Sequence, residues 1–119
     1  MVKLLFDIIM CSYQTLFHND EAGYVVQCRG CNTIQVAYGN VMLTWNRSDF
    51  TGFCQYISRM VDELPEDYRP HHKSVVIPVP CEGIRILLSP KELHELQQML
   101  DLAETELHQQ ELMQLFDQP

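Results

Sequence analysis

Basic residues are scarce in this chain: eight Lys and Arg stand against sixteen Asp and Glu over 119 residues, a formal charge of -8. Proteins bind nucleic acid by setting Lys and Arg against phosphates and releasing counterions, so this balance argues against DNA or RNA as a partner. No basic cluster is stronger than Arg69 to Lys73. The acid excess reads as a solvated, self-repelling surface. Long apolar runs are missing too, and nothing approaches the roughly eighteen residues of a membrane span. The opening MVKLLFDIIMC is broken by Asp7, lacks the small residues of a cleavage site, and places Met10 where a lipoprotein signal needs a small side chain. Five cysteines, an odd count scattered through regular segments, do not make an extracellular disulfide framework. A reducing cytoplasm is the expected setting. GxSxG, P-loop, GxGxxG and HExxH signatures are all absent. The carboxylates near the C-terminus lie on polar helix faces, so the expectation is a protein that is not an enzyme.

What is present is a clear alternation of strand and helix signals. Residues 1–11 fit either a short helix or a strand, and Met10 rather than Met1 could be the native start. Tyr13 to His18 reads as a strand, Asn19 to Gly23 as a turn, and Tyr24 to Cys28 as a second strand. Cys31 to Leu43 reads as a third, with Ile34, Val36 and Tyr38 on one face and a bulge or bend at Gly39-Asn40. A helix follows. Asn46 is its N-cap, Asp49 stands three residues on, and Trp45 and Phe50 form a hydrophobic staple. Pro65 ends it. Lys73 to Pro80 is a β-branched run whose prolines assign its end to a sheet edge, and Ile84 to Leu88 returns as a strand. The second helix has Ser89 as N-cap, Pro90 at its first position and Glu92 at its third.

The segment from Val41 to Phe53 and the segment from Ile84 to Leu96 share one pattern, a strand feeding straight into a capped, stapled helix. The fold class is therefore α+β: an antiparallel sheet of about five strands with two helices segregated against it and a strand–helix unit used twice. One domain is expected over 1–119, with 1–11 a possible extension and 108–119 a helical tail.

The most distinctive cluster of chemistry-bearing residues is Cys28-Arg29-Gly30-Cys31. A two-residue spacer lets both sulfurs address one ion. A redox pair uses the same spacing but opens a helix, whose dipole lowers a thiol pKa; here the pair lies between two strand patterns. A structural metal, zinc first, needs further ligands from His18, His71, His72, Cys11, Cys54 or Cys81, or from a second subunit. The plainest alternative is a pair of reduced cysteines in a tight turn. His71-His72 also reads as solvated loop, and His94 and His108 lie about four turns apart on one helix, too far to share a metal. The second helix is expected to run to Asp117, about 40 Å at 1.5 Å per residue. Its Leu112, Met113, Leu115 and Phe116 would then project past the core, a surface suited to a protein partner or a second copy of the chain.

Gly23-Tyr24-Val25-Val26, Cys28-x-x-Cys31, the run Ile34 to Asn40, and the helix entry from Leu43-Thr44 to Phe50 resemble a family of small uncharacterised bacterial proteins, a domain of unknown function seen mainly in the Bacteroidetes. Val75 to Pro80 and the Ser89 helix start extend the resemblance. It implies a cytoplasmic, non-catalytic small protein and brings no reaction or substrate. The expected function is thus a non-enzymatic intracellular interaction or adaptor protein, with a structural metal at the Cys28/Cys31 turn as one option. The alternative is a thiol-active or metal-dependent enzyme using the same pair.

Overall fold

A computed structural model describes residues 12–117. Four antiparallel strands follow one another as a meander: β1 (Tyr13–Asn19), β2 (Gly23–Cys28), β3 (Thr33–Tyr38) and β4 (Val41–Asn46). Helix α1 (Arg47–Asp62) follows, then a hairpin of β5 (Val75–Pro78) and β6 (Arg85–Leu88), and finally helix α2 (Pro90–Asp117). The architecture is α+β with two helices among the described residues, as expected. These residues form six strands in two sheets, in the order β1-β2-β3-β4 and β5-β6, where about five in one sheet are predicted.

The extra strand comes from Gly39-Asn40. This pair is not a bulge but a two-residue hairpin turn, with Tyr38 paired to Val41 across it. Gly39 has φ 58, the positive value that type II′ turns place on their first central residue. The bulge lies elsewhere. In β1, Thr15 pairs with Val26 and Phe17 with Val25, so Leu16 is the extra residue, and its side chain joins the core. Asn19 closes the preceding turn by accepting hydrogen bonds at Oδ1 from the Glu21 and Ala22 amides (2.9 and 2.8 Å).

Both helices start as their caps require. Asn46 accepts from the Asp49 amide at 2.7 Å. Ser89 and Glu92 form a reciprocal capping box: the Glu92 amide donates to Ser89 Oγ (3.2 Å) and the Ser89 amide to Glu92 Oε1 (2.9 Å). Beside the α1 cap, Trp45 stacks on Phe53, centroids 4.9 Å apart, and packs against the core cluster in which Phe50 is wholly buried. One apolar cluster joins everything: Leu16, Val25, Ile34 and Val36 from the large sheet, Ile77 and Leu88 from the hairpin, and residues of both helices.

Helix α2 sets the long axis. Its first turns are tied to one end of the large sheet, where Tyr38 Oη donates to Glu95 at 2.6 Å. Its later turns are tied to the other end through Arg47, whose Nε and Nη2 both donate to Glu111 at 3.2 Å. At 1.5 Å per residue it is about 42 Å long, against about 20 Å for a six-residue strand.

Candidate functional site

The thiol turn is built from the register of β2 and β3. Cys28 pairs with Thr33, which leaves Arg29, Gly30, Cys31 and Asn32 as the loop. Asn32 takes the left-handed conformation (φ 56), which Asn tolerates better than other side chains. The loop is fastened to β1 by the Arg29 amide, which donates to the Ser12 carbonyl at 2.9 Å, and by the Arg29 guanidinium, which donates to Gln14. As the strand patterns on both sides predict, the turn joins two strands and opens no helix. The helix dipole that activates redox thiols therefore has no counterpart here.

The two sulfurs occupy different surroundings. Cys28 is 1% exposed while Cys31 lies at the surface. Strand alternation puts Cys28 on the same face as Tyr24 and Val26, opposite Val25, and it stands apart from the main core cluster. The Cys31 amide donates to Cys28 Sγ at 3.2 Å. Sulfur is a weak acceptor, and an amide donating to it across a two-residue spacer fits a thiol and a thiolate alike.

The structure does not bring the predicted histidines to these thiols. His18 pairs with Tyr24 and Cys28 with Tyr13, so they lie four residues apart along the ladder, about 14 Å. His71 and His72 are farther still. Their connector is fixed to the start of α2, where the Lys91 amide donates to the Pro70 carbonyl (3.0 Å), whereas Glu111, twenty residues on, marks the end of the sheet that carries the Cys28–Thr33 pair. Twenty helical residues span about 30 Å. Among the described residues no group of three or more His, Cys, Asp or Glu could hold a metal ion. Cys11 lies outside the described residues. Cys54 is buried in α1, and burial, then the nearby Glu104 and Asp101 carboxylates, pushes its thiol up to about 12. Cys81 is exposed in the β5–β6 loop.

The family profile described as "Family of unknown function (DUF6686)" matches residues 10–117. The chain belongs to this family. DUF6686 carries no assigned reaction, ligand or partner, so function has to be argued from the residues themselves. No curated protein and no solved structure matches the chain.

Two further surfaces stand out on this DUF6686 chain. One is the end of α2 beyond Glu111, where residues 112–117 are all exposed and Leu112, Met113, Leu115 and Phe116 make up four of the six. The other, which sequence reasoning does not find, is an apolar groove of about 630 Å³ between β4 and β6, with Trp45 and Phe53 in its wall. Its one sequence signal is Val41 to Trp45, a strand without a charge or a proline. Among the described residues no helix is long and apolar enough to cross a membrane.

Proposed function

We propose that this chain is a non-enzymatic cytoplasmic interaction protein that pairs with a second copy of itself through the projecting end of α2. The observation that carries this reading is the exposure of Phe116, at 81%, together with Leu112, Met113 and Leu115 just past the Arg47–Glu111 tie. Apolar side chains concentrated on one protruding element are costly in water and typical of an interface. Native mass spectrometry tests it. A dimer that becomes monomeric in Leu112→Glu/Phe116→Glu, with the far-UV spectrum unchanged, supports the reading. A wild-type chain that stays monomeric at about 100 μM, well above the micromolar affinity of a modest interface, removes it.

A second reading is favoured by the two-residue spacer between Cys28 and Cys31 in a turn that opens no helix. In it the turn is a knuckle for a structural zinc ion, with Cys28 and Cys31 as two ligands and the remainder supplied by Cys11 or a partner subunit. Elemental analysis of purified protein decides it against the thiol-enzyme alternative. Stoichiometric zinc, lost with stability in Cys31→Ser, supports the knuckle. Metal-free protein with one fast-reacting low-pKa thiol supports the enzyme.

A further inference from the structure

The two sheets have four outer edges between them, and these are not treated alike. A strand edge exposes unpaired N–H and C=O groups, and proteins blunt such edges with bulges, prolines or charges. The β1 edge carries the Leu16 bulge. The β5 edge ends in Pro78 and Pro80. Among the described residues β4 pairs only with β3 and β6 only with β5; both lack a proline and a bulge, and Arg85 at the start of β6 is the single charge in the two. These two unblunted edges face each other across the groove. Its lining shows the geometry: every residue from Val41 to Trp45 and from Ile84 to Leu88 contributes, whereas β3 contributes only Val36 and Tyr38. Alternate residues mark a strand seen face-on, and consecutive residues mark one seen along its edge.

The groove also has polar needs that one class of occupant meets. Trp45 Nε1 is shielded from solvent and has no acceptor among the described residues. At the rim, Lys73 is paired with Glu92, while Arg85 has no ion pair among the described residues. What fits is a chain with backbone donors and acceptors on both sides, apolar side chains toward the floor, and a carboxylate for Arg85.

We propose that the groove takes an extended, alternating apolar segment of a partner protein bearing one acidic side chain, inserted as a strand between β4 and β6. This is strand addition at a sheet edge, made two-sided. It shares the interaction reading above but uses a surface separate from the α2 end, so a monomeric chain would leave it standing.

The chain has a single tryptophan, and it lies in the groove wall, so fluorescence of the full-length protein reports occupancy. The probe is an acetylated, amidated heptapeptide, Val-Thr-Val-Asp-Val-Thr-Val. Saturable binding is expected, weakened roughly tenfold or more in Arg85→Glu, since a charge-assisted hydrogen bond is lost. Two N-methylated versions of the peptide, one at odd and one at even positions, each block one edge, and both are expected to lose binding by a similar factor. No saturation by about 1 mM, the floor of useful affinity, overturns the proposal. So does unchanged binding of both methylated peptides, or of either alone, or full displacement by decanoate, which would make the groove a pocket for a small apolar acid. A peptide-free dimer abolished by Met42→Glu but not by Phe116→Glu would give the groove to a second copy and overturns it as well. Met42 lines the groove and is 45% exposed, so unchanged urea midpoints in Arg85→Glu and Met42→Glu keep these outcomes readable.

Discussion

Replacing Gly23 by Ala would set a methyl carbon 1.9 Å from the Ala37 carbonyl oxygen and 3.2 Å from Tyr38 Cα. Both neighbours are backbone of the paired strand, Gly23 facing Tyr38 across the ladder, so neither can swing aside as a side chain would. An ordinary carbon–oxygen contact is about 3.4 Å, and the strands would have to separate by more than an ångström. Overpacking of this kind costs about 1–3 kcal/mol or more. Gly23 also has φ +147, a region almost confined to glycine that adds about 1–3 kcal/mol for other residues. The combined cost is roughly 4 kcal/mol. Gly39→Ala is the control. Nothing lies within 4 Å of its added methyl and φ is +58, so only the left-handed penalty of about 1–2 kcal/mol applies. With a urea m-value of about 2 kcal/mol per molar, the midpoint should fall by about 2 M for Gly23→Ala and about 0.5–1 M for Gly39→Ala. Urea unfolding followed by Trp45 fluorescence measures both. Equal midpoints, or a larger fall for Gly39→Ala, would refute the claim that close strand approach sets the cost.

Ser89→Ala removes the oxygen that caps the Glu92 amide and should cost about 1 kcal/mol in the same assay. The Lys73 ammonium, then the Ser89 amide, hold the Glu92 carboxyl below its ordinary 4.5. Its stabilisation is therefore present above that pH and lost as pH falls through the lowered value, and the gap between wild type and Glu92→Gln should close on acidification. Tyr38 behaves in the opposite sense. Burial, then the bond to Glu95, raises its phenol above 10.0, so its contribution is full below pH 10 and lost as pH rises further; the gap to Tyr38→Phe should narrow only on the alkaline side of a stability-against-pH series. Cys54, with its thiol pushed up to about 12 and buried, should resist iodoacetamide at pH 8 until the protein unfolds, while the exposed Cys81 labels in the native state; peptide mapping by mass reads both.

The helix starts were legible because capping is local: Asn46 with Asp49, and Ser89 with Glu92, interact within three residues. The turn at Gly39-Asn40 is not legible as a reversal because strand-forming residues continue on both sides, and the sequence does not show whether such a run bends or reverses. Leu16 was illegible as a bulge for a similar reason, since one inserted residue leaves the apolar pattern plausible in either register. At the candidate site, the place of Cys28 and Cys31 between strands followed from the flanking patterns. The distance to His71 and His72 did not, because it depends on which way α2 runs across the sheet. The groove was the least legible feature: it needs two edges, one from each sheet, that lie more than thirty residues apart in the chain.

Helix α2, the last of the described elements, packs on β1, the first of the described strands. During synthesis the meander can form early, but Leu16 and Val25 keep a wet face until residues 93–107 emerge from the ribosome to cover them. A stalled chain ending before Leu93 should accordingly bind hydrophobic dyes, and one extended past Leu107 should not. For this protein, maturation of the meander waits on helix α2.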